Sequence, residues 1–357
     1  MVSVVIADDT KSYDGTWLET RPLGGTESSV IRFARAMARR GHDVTAYTNC
    51  QAPVTHEGVR WLPLTSAKPE TCDLYIACQH PRLFGLIPRP KRLVGWILWQ
   101  PNEWKHYKNL LKVWWRRPIP VLTSLHQVRI YSPVLPRRDA QIVIPLGLPD
   151  DIRGLPPLAS SPAPQAIFYS NPQRNLNELV RIWCERIVPR CPNAILNVYG
   201  ISDIKPGDDA WKIWQGSLLP LGIDPTAKAS VRIHSTASRS DLSVATRGSR
   251  AMLYLGHKVE AFCLAVAEAQ AMGVPCVVAP RTVLPERVIN EVTGFVRGDP
   301  QDFADAAVAL LTDDALWRRQ HEAALKLRQG ISWDEFATRF EDAILSDRTP
   351  IQRAMHS

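Results

Sequence analysis

At 357 residues the chain is long enough to build two domains with sizeable cores. Its 45% hydrophobic and 22% charged residues describe an ordinary globular sequence and exclude disordered and collagen-like classes. A formal net charge of +8 calls for an anionic partner, which leaves nucleic acid, an acidic membrane surface and a phosphorylated ligand open.

From the N-terminus, residues 2–7 read as a strand. The opening run is too short and too soon charged for a signal peptide, and no window approaches the roughly 20 apolar residues of a membrane span, so a cytoplasmic chain is expected. A polar loop leads to Gly24-Gly25-Thr26-Glu27. Val30, Phe33, Ala34, Met37 and Ala38 then recur at helical spacing until Gly41, and a strand resumes at 44–48. This β-loop-α-β unit with glycines at the helix entrance predicts a doubly wound α/β domain. Further strands are expected at 74–77, 93–98, 121–123 and 141–144. In the run 104–117, Tyr107, Leu110, Leu111, Trp114 and Trp115 share one helical face, while Lys105, Lys108, Lys112 and Arg116 fall largely on the others. Such a helix suits either a peripheral contact with an anionic membrane or a domain helix burying its apolar face.

Pro149, Pro156, Pro157, Pro162 and Pro164 crowd together and predict an interdomain linker over 151–165. It follows a first domain of 1–150 and precedes a second α/β pattern over 166–331. Strands are expected there at 166–169, 195–199, 231–234, 251–255 and 274–278, with helices at 176–188 and 303–311. Within 332–357, Trp333, Phe336, Ala337, Phe340, Ala343 and Ile344 line one face of a last helix. The expected fold class is α/β, two Rossmann-like doubly wound domains facing a central cleft, with ligands outside the carboxyl ends of the strands. Seven scattered cysteines contain no Cys-x-x-Cys pair and no zinc spacing, so they read as reduced thiols. The basic residues are dispersed and no recognition motif appears, so no nucleic-acid partner is expected.

The most informative stretch holds Glu260 and Glu268, eight residues apart. The apolar run between them should open a helix near Phe262, with Gly273 ending it. On a helix the two carboxylates stand roughly 12 Å apart, too far for a shared proton. The helix entrance would offer the backbone N–H groups of Phe262, Cys263 and Leu264 to a phosphate. The spacing alone also fits a buried helix carrying two surface glutamates.

Glu268-Ala269-Gln270-Ala271-Met272-Gly273-Val274-Pro275, with Glu260 upstream, resembles the Glu-x7-Glu signature and the Glu-Ala-x-Ala-x-Gly-x-Pro run of the retaining GT-B-fold glycosyltransferases of family four. The resemblance covers nearly the whole chain and is densest over 24–44 and 251–298. It implies transfer of a sugar, with retention, from a nucleoside-diphosphate sugar to a glycan, lipid-linked or small-molecule acceptor, in the cytoplasm or at the inner face of a membrane. No cofactor and no metal are implied, and the chain contains no Asp-x-Asp triad.

By the same resemblance, Glu268 accepts the ribose hydroxyls and Glu260 stands beside the transferred sugar as a catalytic residue. Gly24 and Gly25 lie against a phosphate or a developing negative charge. Arg174 occupies the place of a lysine that clamps the donor diphosphate. The upstream arginine of that clamp has no counterpart, because Ser170 and Asn171 fill the turn. His80 resembles a strand-end histidine facing the cleft and is the second catalytic candidate. Where relatives place another histidine, this chain has Trp99, Gln100 and Asn102, which makes Gln100 and Asn102 the acceptor-side candidates. Base recognition falls around His234 and Ser235, and the last helix crosses back to brace the first domain. A sugar-nucleotide epimerase or a non-catalytic nucleotide-sugar-binding protein stays open as the alternative. A phosphorylase would need a cofactor-bearing lysine, and Lys258 is the only lysine near the signature.

Overall fold

The computed structural model describes residues 1–21, 23–137, 140–200, 227, 229–234 and 237–345. The chain divides into two compact units, Met1–Gly147 with the stretch from Ile331, and Leu148–Gly330.

The first unit is built on β1 (Ser3–Ala7), β2 (Asp43–Thr48), β3 (Val54–His56), β4 (Val59–Pro63), β5 (Thr71–Cys78), β6 (Arg89–Ile97), β7 (Ile119–Leu122) and β8 (Ile142–Val143), in the order β3-β4-β2-β1-β5-β6-β7-β8. All pairings are parallel except the β3–β4 hairpin. That hairpin was not expected; its turn, Glu57-Gly58, has positive φ at both residues, as a tight hairpin connection requires. The central strands are buried on both faces, which is why they read as continuous apolar runs.

The Gly25–Arg39 helix lays Phe33 against Trp96 of β6 and against Phe336 and Phe340 of the Trp333–Ile344 helix, with ring centroids 4.8 to 5.2 Å apart. Each such pair adds about 1 kcal/mol beyond its buried area. Arg39 with Asp334 at 2.6 Å, and Arg40 and His42 with Glu341 at 2.5 and 2.6 Å, close the rim of this contact. Of the expected C-terminal segment, the residues beyond 345 lie outside the described ones.

The second unit is a six-stranded, all-parallel sheet of β9 (Gln165–Tyr169), β10 (Ile195–Tyr199), β11 (Val231–Ile233), β12 (Ala251–Tyr254), β13 (Cys276–Val278) and β14 (Gly294–Val296), in the order β11-β10-β9-β12-β13-β14. The order reverses between β9 and β12, as it does between β1 and β5 in the first unit. Those switch points leave a crevice at the strands' carboxyl ends.

The proline-rich 151–165 is not a free linker. It is strapped to the second unit by its backbone: Leu158 N–H donates to His321 Nε2 at 2.9 Å, and Arg247 and Arg250 donate to the Pro156 and Pro162 carbonyls at 2.6 and 2.7 Å. The expected helix at 176–188 is α-helical only over Leu176–Ile182 and continues as a π turn, Trp183–Ile187. The strand expected at 274–278 begins at Cys276, because Gly273 at φ +80° turns Val274 N–H back to the Ala269 carbonyl. Among the described residues no helix is long and apolar enough to cross a membrane.

Candidate active site

At the switch point of the second sheet, the chain leaves β9 through Ser170–Arg174. Asn175, held at φ +63°, anchors the turn by donating to the Gly256 carbonyl just past β12. This places Arg174 Nη1 3.2 Å from Glu260 Oε1. Tyr254 Oη donates to the same carboxylate oxygen at 2.5 Å and lies 3.2 Å from Ser170 Oγ. Glu260 is 7% exposed, and a carboxylate so buried is tolerated because a cation and a phenol satisfy it. Burial, reinforced by the neighbouring Cys263 and Glu260, pushes the Tyr254 phenol well above its ordinary range, so it remains a donor.

Helix Leu264–Ala271 begins two residues later than expected. Cys263 adopts φ +62° and acts as the cap, its carbonyl accepting from Ala267 N–H at 3.1 Å. The Val266 N–H turns to the Cys263 thiol, which burial pushes well up. The helix therefore presents Leu264 and Ala265, not Phe262 and Cys263, at its entrance. The Phe262 ring instead lies 4.4 Å beneath the guanidinium of Arg287, whose pKa burial lowers to about 10.

One turn along the helix, Glu268 Oε1 receives Arg239 Nη2 at 2.7 Å. Burial opposes the charge on Arg239, but Glu268 outweighs it and the net effect is upward. Sequence reasoning missed Arg239. It opens the Arg239–Arg247 helix, whose cap, Ser238 Oγ accepting from Asp241 N–H at 3.1 Å, is legible as Ser-x-x-Asp and would have flagged a helix there. Nearby, His234 stacks on Tyr199 with centroids 4.3 Å apart and bonds Asn197 Oδ1 at 2.9 Å; burial lowers its pKa. Ser235 lies outside the described residues.

The first unit carries a second cluster, also at its switch point. His80, just past β5, pairs through Nδ1 with Asp9, just past β1, and its Nε2 is 3.4 Å from Glu103 Oε2. The Asp9 hydrogen bond is the main cause holding the imidazole above its ordinary pKa. Burial alone would raise the Asp9 pKa, yet His80 and Arg82 bring it down. Trp99 stands edge-on to His80 at 5.9 Å and donates its indole N–H to Thr26 Oγ1 at 2.9 Å, which joins the histidine to the glycine loop.

In that loop Gly24 caps the Gly25–Arg39 helix and lies under the Glu27 carboxylate, so a Cβ at Gly24 would collide with it. Burial raises the Glu27 pKa. Gln79, at φ +55°, accepts from Trp99 N–H at 2.9 Å and donates to the Gln100 carbonyl at 3.2 Å; Gln100 Oε1 in turn accepts from Asn102. Sequence reasoning missed Asp9 and Glu103 as partners of His80, and Arg82 as a partner of Asp9.

Of the run 104–117, Trp104 belongs to the core: it is fully buried, packs on Gly95 and Phe84, and donates to the Gln79 carbonyl at 2.7 Å. The helix proper, Tyr107–Arg116, turns Leu110 and Val113 inward and leaves Tyr107, Leu111 and Trp115 exposed. The reading in which the whole apolar face is buried is thereby overturned.

The comparisons agree with this architecture. Residues 226–327 match the family model described as glycosyl transferases group 1. No curated protein matches the chain. Among solved structures, the chain is similar to sucrose-phosphate synthase from Thermosynechococcus elongatus (TM-score 0.70, 15% identity, 95% of this chain and 97% of that one). It is similar also to HepE from Anabaena in complex with UDP-glucose (0.69, 13%, 96% and 99%) and to WaaG, a glycosyltransferase involved in lipopolysaccharide biosynthesis (0.66, 14%, 96% and 99%). The fold is GT-B. The matched stretch, residues 226–327, is the one that holds Arg239, Glu260 and Glu268.

Proposed function

We propose that the chain is a retaining glycosyltransferase that moves a sugar from a nucleoside-diphosphate sugar to a glycan, lipid-linked or small-molecule acceptor without a metal ion. The observation that carries this reading is a pair of arginine-anchored carboxylates, Arg174–Glu260 and Arg239–Glu268, on either side of the entrance of one helix. Glu268 keeps its second oxygen for a ribose hydroxyl, and Glu260 offers its second oxygen to a hydroxyl of the transferred sugar. Arg174 holds Glu260 through one nitrogen and directs the rest of its fork at the diphosphate.

As the bond from the anomeric carbon to the diphosphate oxygen breaks, negative charge grows on the leaving group. Arg174 and the Leu264 and Ala265 N–H groups stabilise that charge. The leaving phosphate oxygen takes the acceptor hydroxyl proton, and the new bond forms on the face just vacated, so the anomeric configuration is kept. His80, whose pKa the Asp9 hydrogen bond raises, and the neighbouring Gln100 and Asn102 are assigned to the acceptor side.

Thermal stabilisation by UDP, GDP and ADP and their sugars tests the donor assignment; a ligand at 100 times its dissociation constant adds about 2.7 kcal/mol. UDP-glucose comes first, because HepE, of the same fold, is described with it. Product anomers are then read by NMR, with and without chelator. Stabilisation by no nucleotide would sink the proposal, an inverted product its stereochemistry, and chelator inhibition its metal independence. Conversion of the sugar nucleotide without use of an acceptor would favour an epimerase.

A further inference from the structure

We infer that the outer face of the Tyr107–Arg116 helix, together with a basic groove at that helix's C-terminal end, docks on an anionic lipid bilayer. Leu111 and Trp115 are 82% and 81% exposed, and Tyr107 is also largely in solvent. They recur at i, i+4 and i+8, so they form one stripe. Trp114, half-exposed beside it, donates its indole N–H to the Val134 carbonyl at 2.8 Å, which fixes the ring in place. Lys108 and Lys112 form a parallel stripe alongside, both exposed.

Where the helix ends, a groove of about 460 Å³ is lined by Arg89, Lys91, Arg92, Arg116, Arg117 and Arg137, with Trp115 on its rim. Among the ion pairs of this groove, Glu70 meets Arg89, and Asp73 meets Lys91 at 2.7 Å. Arg116 is built in, donating to the Ile87 and Pro88 carbonyls at 2.8 and 2.9 Å.

An aromatic stripe flanked by lysines and ending in a cationic hollow matches the layering of a bilayer surface. Leu111 and the tryptophan and tyrosine rings enter the headgroup–acyl boundary, lysine stems reach back to the headgroups, and the groove takes lipid phosphates. Charge complementarity selects the anionic bilayer over an uncharged partner, and over a second copy of this equally basic face. The inference does not depend on the transferase reading, since binding needs no donor.

The full chain is mixed with vesicles of phosphatidylcholine alone, or containing about one-third phosphatidylglycerol, and co-sedimented at several salt concentrations. Binding to the phosphatidylglycerol vesicles is expected, falling with salt, with a blue shift of tryptophan emission. The exposed-site variant Leu111→Ser/Trp115→Ser and the groove variant Lys91→Gln/Arg117→Gln should each weaken binding about tenfold, with unchanged circular dichroism and melting. Equal binding to both vesicle types, binding to neither, or variants that bind like the parent would overturn the proposal. So would lipid-free self-association in sedimentation velocity that Leu111→Ser/Trp115→Ser abolishes, because the face would then be an interface between copies.

Discussion

Both sheets place their polar clusters at the same topological position, yet the clusters are built differently. In the second unit, two carboxylates from one helix region each meet an arginine from a preceding element. In the first, a histidine is held between carboxylates, Asp9 on one ring nitrogen and Glu103 near the other. An arginine stays charged at any physiological pH and suits a fixed clamp on phosphate. A histidine whose pKa its neighbours raise suits a site whose proton inventory matters. One switch point is thus a rigid charge frame, and the other is sensitive to pH.

The contrast is tested most severely by Arg174→Ala. We expect kcat to fall about 10²–10³-fold while nucleotide affinity changes far less, as steady-state kinetics and calorimetry would show. A kcat within a few-fold of the parent removes this arginine from the reaction. Next in size, Glu268→Gln and Arg239→Ala should each weaken nucleotide binding about tenfold, and the double variant no more than either alone, because the two act as a unit. Additive losses in calorimetry would mean that the ion pair is incidental.

Asp9→Asn should lower the pKa of His80, because the Asp9 hydrogen bond is the main cause of its elevation. The sign follows from linkage. A histidine whose folded pKa is raised contributes stability fully present below its ordinary 6.5, lost as the pH rises through the folded value. Asp9, lowered from 3.8, contributes stability present above that value and lost as the pH falls through its folded pKa. A ring-proton NMR titration of His80 that does not move in the variant would break the assignment.

The smallest effect is expected at His321, where the sense is reversed. Burial lowers its pKa despite the Gly273 carbonyl that it bonds at 2.6 Å. Its stabilisation is present above 6.5 and is lost as the pH falls toward the depressed folded value. In His321→Gln the fall of Tm on acidification should be shallower than in the parent; an equal slope would show that the strap at 151–165 does not titrate through this ring.

The second cluster was partly legible because its chemistry is local. Glu260, Glu268, Gly273 and Pro275 sit within one helix and its flanks, where spacing translates directly into position. Arg239 was missed since it lies 29 residues upstream of Glu268 and reaches it only through the packing of two helices. Asp9 was missed for a stronger version of the same reason: 71 residues separate it from His80, and β1 and β5 become neighbours only when the order of the sheet reverses. The late helix start at Cys263 escaped because a left-handed residue that is neither Gly nor Asn has little local signal.

Periodicity and glycine punctuation were enough to define most of the strands and helices, the α/β class and the segment bearing the two glutamates. These follow from local rules of pleat, turn and cap, which act over a few residues. Which cation meets which carboxylate, and which side of the Tyr107–Arg116 helix faces the core, depended on tertiary assembly. The helix offers two apolar flanks to choose from. Leu110 and Val113 won the core side because they pack against the buried cluster of Phe84, Ile97 and Leu122, leaving Leu111 and Trp115 outside. Strand order did the same for the arginines, since adjacency of β9 and β12 is a property of the whole sheet and of no segment within it.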